Sequence, residues 1–368
     1  MKKIKLCYLI SSLCNEGPVN VIYNILQYIN YDRYEVSIVT LNPEKENTRI
    51  DDFKKMPLAI FQLSSDKRIN LIKQYFRLKN VLKKIKPDVV HGHCSGPLYL
   101  MTHLPYKTVY TVHIYPGIQN IALSGWLKGN IIIRLDNYFT KKCDEVICCS
   151  ESIAERYLIE KHLKYKAIPN GTSYKIWNYS LEKKVELREK MGLEKDRKYF
   201  IFIGRFSREK HPEILIQAFA NRPNTGLIML GEGPLWEELK AKKTDNILMP
   251  GFTRNVADFL KAADYYISVS DIEGLANTLL ESMSVGLPSV LSNIPSHQEV
   301  FKKFNSCTKG LLLTDNKNMK ELQTDIDEIQ KTDSSVARDA IQKVFVNNYA
   351  AEIMTSRYEA VYENLVIK

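Results

Sequence analysis

What most restricts the fold of this chain is a rhythm, played twice, of short apolar runs separated by longer stretches at helical spacing. Residues 5–11, 35–41, 88–92, 108–113 and 145–149 read as buried strands, and 19–30 and 71–85 between them carry apolar residues with helical periodicity. Such alternation builds βαβ units, and therefore a parallel sheet with helices on both faces. The turn dipeptide Asn170-Gly171 and a connector rich in Lys and Glu interrupt it. It then restarts at 198–204 and continues through 226–231, 246–249, 265–270 and 289–291. The expected fold is α/β: two Rossmann-like, doubly wound parallel-sheet domains facing a cleft, where open parallel sheets bind ligands. A chain of 368 residues also exceeds what one core usually holds. The boundaries expected are 1–175, 176–348 and a last segment, 349–368, whose Ile353, Met354, Tyr358, Val361, Tyr362 and Leu365 fall at helical spacing for packing across domains.

Composition narrows the class. With 45% hydrophobic and 26% charged residues, both halves should fold. No run approaches the roughly 18 apolar residues of a spanning helix, and residues 1–5 lack a signal-peptide profile, so a cytoplasmic protein is expected. The seven cysteines, Cys7, Cys14, Cys94, Cys143, Cys148, Cys149 and Cys307, form no Cys-x-x-Cys pair and read as reduced thiols.

The most informative segment runs from Ser268 to Pro288: a strand end, a polar loop holding Glu273 and Gly274, and a helix starting near Ala276 or Asn277. Glu273 then lies just before the helix and Glu281 about one turn inside it. The unpaired N–H groups of a helix start suit a diphosphate. Carboxylates beside a phosphate make chemical sense only as acceptors for ribose or sugar hydroxyls; the plainer alternative is an ordinary capping or ion-paired Glu. A second segment, Phe202-Ile-Gly204-Arg205-Phe-Ser-Arg-Glu-Lys210, leaves a strand with two cations five residues apart. An Arg fork and a Lys point charge together stabilise charge growing on a leaving group, though an Arg/Lys pair is more often a solvated face.

These two segments resemble the retaining glycosyltransferases of the glycosyltransferase-B fold, especially bacterial surface-polysaccharide transferases with a Glu-x7-Glu motif, and the resemblance spans nearly the whole chain. This sequence has Ala276 where members commonly have Pro, Ser282 where they have Ala, and His211 where most have Gly. The resemblance implies that Glu273 contacts the transferred sugar and Glu281 the ribose. It implies that amides around Gly274, Asn277 and Thr278 hold the diphosphate, with Gly204, Arg205 and Lys210 beside it. It further implies that Pro250-Gly251-Phe-Thr253 meets the base, that Gly17 in the loop after the first strand approaches the donor phosphates, and that His113 faces the donor sugar. Pro18 reads equally as a helix start. The donor is expected to be a nucleotide diphosphate-sugar, UDP-sugar by default, carrying a hexose or N-acetylhexosamine; retention would follow from attack on the face the diphosphate leaves.

Other chemistries fit less well. Gly231-Glu-Gly233-Pro234 is not a dinucleotide fingerprint, because Trp236 stands at the third glycine position, and there is no P-loop. His91-Gly-His93-Cys94 looks like a metal cluster but matches an ordinary strand end, and Asp325-Ile-Asp327 falls in a polar helical stretch rather than at a strand end. No metal or other cofactor is therefore expected. Rivals of the same fold are a nucleotide-sugar 2-epimerase and a catalytically silent sugar-nucleotide binder.

The net charge of +10 is lopsided: residues 1–180 hold 26 Lys and Arg against 15 Asp and Glu, and residues 181–368 hold 26 against 27. Lys67, Arg68, Lys73, Arg77, Lys79, Lys83, Lys84 and Lys86 flank Leu71, Ile72, Tyr75, Phe76, Leu82 and Ile85, and Trp126, Lys128 and Arg134 form a similar set. The basic half has no nucleic-acid recognition module, which leaves an anionic membrane surface, presenting a lipid-linked saccharide acceptor, as the expected partner. The alternative is a core-packing helix with a solvated basic face.

Overall fold

The computed structural model describes residues 2–65, 69–117, 120–121, 124–173, 181–304, 310–332 and 334–367. Lys67, Arg68, Cys307 and the boundary between 175 and 176 lie outside them. The chain divides into two compact units, residues 1–171 with 351–368, and residues 172–350.

The first unit is built on seven strands, β1 (Ile4–Ile10), β2 (Tyr34–Thr40), β3 (Leu58–Gln62), β4 (Val89–His93), β5 (Lys107–Val112), β6 (Glu145–Cys148) and β7 (Lys166–Ala167), in the order β3-β2-β1-β4-β5-β6-β7. Every pairing is parallel. The second unit holds β8 (Lys198–Ile203), β9 (Thr225–Leu230), β10 (Ile247–Gly251), β11 (Tyr265–Ser268), β12 (Ser289–Ser292) and β13 (Leu311–Thr314), all parallel in the order β10-β9-β8-β11-β12-β13. Both are doubly wound α/β sheets. Their strands read as unbroken apolar runs because helices cover both faces: Leu6 to Ile10 and Phe200 to Phe202 are all buried. In each sheet the order reverses beside the first strand, between β1 and β4 and between β8 and β11, and there the loops at the strand ends part.

The last helix, Ala351–Ile367, belongs to the first unit. Its Met354, Tyr358, Val361, Tyr362 and Leu365 enter one core with Leu6, Tyr8, Ile38 and Val89. A chain of buried hydroxyls and one imidazole stitches helix to sheet. Tyr362 Oη meets Tyr8 Oη at 2.9 Å and His91 Nδ1 at 2.8 Å, while His91 Nε2 meets Thr111 Oγ1 at 2.8 Å and Thr111 Oγ1 meets Tyr358 Oη at 3.0 Å. Polar groups this deep are tolerable because each has a partner.

The basic helix Leu71–Ile85 has one buried side and one exposed side. Gln74, Leu78 and Leu82 are buried on the sheet, whereas Leu71, Ile72 and Phe76 are exposed beside its lysines. The six described cysteines are free thiols, and burial pushes those of Cys7 and Cys148 up to about 12. Among the described residues no helix is long and apolar enough to cross a membrane.

Candidate active site

In the second unit the switch point gathers most of the residues singled out in the sequence. The helix Asn277–Val285 starts one residue after Ala276, which provides no capping side chain, and ends at Gly286 with φ of 78°. Only glycine takes that left-handed C-terminal position without strain. Asn277 and Glu281 are four residues apart and share one face of this helix, with Glu281 half-buried. The Thr278 hydroxyl shares a hydrogen bond with the buried Tyr266 Oη at 3.0 Å. Gly274 is buried in the loop before the helix.

Glu273 occupies the same loop and forms an ion pair with Lys210 from the turn after β8. The side chains are 11% and 22% exposed, so neither charge is screened well by water. Burial works to raise the Glu273 carboxyl's pKa; the Lys210 ammonium outweighs it and holds the group below the usual carboxylate range. His297 in turn feels the Glu273 carboxylate. It is buried with Nδ1 against the Ser292 carbonyl at 2.8 Å, its Nε2 has no hydrogen-bond partner, and burial keeps the ring neutral despite Glu273. Arg205 is exposed just beyond β8, outside this ion pair.

Close packing of strand ends supports this geometry. Gly231, at φ of 125°, lies so near the β8 loop that a Cβ would fall 2.0 Å from the Gly204 carbonyl oxygen. The main chain is laced there by Gly204 N–H to the Leu230 carbonyl at 3.0 Å and Phe206 N–H to the Glu232 carbonyl at 3.0 Å. The Gly231-Glu-Gly233 segment thus fixes where Gly204 and Arg205 emerge. Thr253 Oγ1 accepts from the Asn255 N–H at 3.1 Å, closing the turn after β10.

His113 lies in the first unit on the loop after β5, whereas Gly17, expected in the loop after β1, is the first residue of the helix Gly17–Tyr28, with Pro18 in its first turn. His113 Nε2 and His93 Nδ1 are 2.7 Å apart, and burial lowers the pKa of His113 to about 4, so the ring is neutral near pH 7. A Cβ on Gly17 would meet nothing within 4 Å, so its own fold does not demand a glycine there. His91 uses both ring nitrogens in the buried hydroxyl chain, and among the described residues no group of three or more His, Cys, Asp or Glu is placed to hold a metal ion.

Sequence reasoning missed two participants, His297 and Asp271. His297 carries no motif of its own. Asp271 sits inside the singled-out segment, but its partner His211 stood out only as a departure from the usual glycine.

Comparison with known proteins agrees with this architecture. Residues 183–344 match the family model described as glycosyl transferases group 1, and residues 16–174 match that of glycosyltransferase family 4. The alpha-monoglucosyldiacylglycerol synthase of Acholeplasma laidlawii is 24% identical over 383 residues, spanning 96% of this chain and 94% of that protein. The UDP-Gal:alpha-D-GlcNAc-diphosphoundecaprenol alpha-1,3-galactosyltransferase of Escherichia coli is 25% identical over 314 residues, spanning 79% and 80%. The crystal structure of Anabaena HepE in complex with UDP and glucose superimposes with a TM-score of 0.81 at 16% identity, over 98% of this chain and 100% of that one, a likeness of fold. Two family models that between them account for most of both units, and a shared fold, make this chain a member of the glycosyltransferases with the GT-B fold.

Proposed function

We propose that this glycosyltransferase is a retaining, metal-independent enzyme that moves a hexose or N-acetylhexosamine from a UDP-sugar to a lipid-linked saccharide in surface-polysaccharide synthesis. The observation that carries the reading is the Lys210–Glu273 pair beside the uncapped start of the helix Asn277–Val285. A diphosphate at that helix start competes for Lys210, with Arg205 nearby and the amides around Gly204, Gly274, Asn277 and Thr278 as further donors. Glu273 is then released to accept from sugar hydroxyls, and Glu281 to accept from the ribose. Lys210 and Arg205 stabilise the charge gathering on the departing diphosphate, whose oxygen takes the acceptor proton on the same face. Thr253 is assigned to the base, Gly17 to close approach by the donor phosphates, and His113, neutral near pH 7, to the donor sugar. The UDP in the HepE complex, and the UDP-Gal donor and diphosphoundecaprenol-linked acceptor named for the Escherichia coli relative, support the choice of donor and acceptor classes.

The deciding experiment presents a panel of nucleotide-sugars to the purified protein with a chelator present and follows nucleoside diphosphate release. The product's anomeric configuration is then read by NMR. One selective donor, turnover unaffected by the chelator and an axial product from an axial donor are expected. Inversion, or activity only with added metal, would refute those parts of the proposal; binding without turnover would favour a silent binder, and a free 2-epimer an epimerase.

For the membrane surface, the supporting observation is apolar exposure beside lysines in the first unit. Ile72 is 70% and Trp126 73% exposed, and Phe76, Leu127, Ile131 and Tyr138 are exposed with them. Three cations reaching an anionic bilayer contribute about 1 kcal/mol each, roughly a hundredfold in affinity. We expect binding to vesicles containing phosphatidylglycerol that weakens with salt, and at least about a tenfold loss in the Ile72→Glu/Trp126→Glu double variant. Equal binding to neutral vesicles would count against this surface.

A further inference from the structure

Lys210 ends a three-residue turn, Arg208–Lys210, and the residue that closes it, His211, adopts φ of 47° and ψ of 45°. That left-handed conformation costs a residue with a Cβ about 1–2 kcal/mol, so something must hold His211 there. The ring is held between two carboxylates: Nε2–H donates to Asp271 Oδ2 at 2.7 Å and Nδ1–H donates to Glu213 Oε1 at 3.1 Å. Ionised carboxylates carry no proton, so both nitrogens can donate only if the ring is an imidazolium.

Asp271 is fixed in turn. Its Oδ1 accepts from Asn316 Nδ2 at 3.0 Å, and its N–H donates to the Glu209 carbonyl at 2.9 Å. Besides the Lys210–Glu273 pair itself, the turn bearing Lys210 and the loop bearing Glu273 are therefore joined at two further points, one main chain to main chain and one through His211. Glu273 lies two residues beyond Asp271, and Lys210 immediately precedes His211. We propose that His211 is a positioning residue whose ion pair with Asp271 sets the alignment of Lys210 with the Glu273 loop, so that the grip on a nucleoside diphosphate depends on the charge of this ring. This rests on the donor reading given above.

The sign follows from the surroundings. Facing the ring are Glu213 from its own helix and Asp271 from the loop after β11; Lys317, from the loop after β13, acts on Asp271, and Lys210 adjoins in the chain. Partial burial works to lower the His211 pKa, but the two carboxylates outweigh it and raise the group above its ordinary 6.5. The clamp is fully present below 6.5 and is lost as pH rises through the higher folded value.

The test measures binding of UDP, GDP and ADP by calorimetry from about pH 6 to about pH 8.5 for wild type, His211→Gly and Asp271→Asn. Glycine suits the backbone at 211, so that variant should fold. The nucleotide's own ionisation is common to all three proteins. Expected is an extra loss of about tenfold in wild-type affinity toward the alkaline end that both variants lack. Parallel profiles in wild type and variants, even with lowered thermal stability, would reduce His211 to a structural group and overturn the proposal. If wild type binds none of the three nucleotides, the donor reading falls and this proposal with it.

Discussion

Lys210→Ala is expected to lower transfer by at least about a thousandfold and to destabilise the second unit by about 3–5 kcal/mol. The two effects have different origins. Activity falls because the diphosphate loses the ammonium that balances its growing charge. Stability falls because Glu273, 11% exposed, is left without its counter-charge, and a buried carboxylate without a partner is costly. Its pKa should then rise, since only the burial effect and weaker partners remain. A double variant, Lys210→Met/Glu273→Gln, separates the effects: it removes both charges at similar volume. It should recover most of the thermal stability while remaining inactive. Circular dichroism melting and donor turnover, measured side by side, supply the check. Near-native turnover in Lys210→Ala would remove the proposed role of this pair, and a double variant as unstable as the single one would show that the charge is not what the second unit requires.

Much of this arrangement was legible in the sequence, for physical reasons that also explain the gaps. Ten strands announced themselves as apolar runs, most of them because they are buried on both faces. β3, with three half-buried and two exposed residues, and the two-residue β7 gave no such signal. β13 was also passed over, with two of its four residues only partly buried. The helix at Asn277 was readable from the loop preceding it and from Gly286-Leu-Pro288 after it. His211 was noticed only as a missing glycine; that its ring would compensate for the strained backbone by pairing with Asp271, sixty residues away, is a tertiary fact without local trace. Gly231 and Gly233 read as a turn, whereas their role is to let the β9 loop touch the β8 loop, a closeness invisible until the strands are ordered.

The last helix makes the same point with the larger energetic consequence. Its apolar spacing is plain in the sequence, but spacing does not say which core it enters. Met354, Tyr358, Val361, Tyr362 and Leu365 are all 6% exposed or less, within the core of the first unit. At about 1.5–3 kcal/mol for each buried side chain, they contribute on the order of 10 kcal/mol, comparable with the whole stability of a typical domain. Ending the chain at Ala350 also strips Tyr8 and His91 of the Tyr362 hydroxyl in a buried setting. We therefore expect the shortened chain to lose amide-exchange protection throughout β1, β2 and β4 while residues 181–304 keep theirs. Tyr362→Phe keeps the ring and removes only the hydroxyl, so it should cost about 1–3 kcal/mol and leave the first unit folded. Unchanged protection of β1 after truncation would mean that the sheet does not depend on a helix supplied by the far end of the chain. Loss confined to the strands it covers would mean that this unit is completed only after the second has been made.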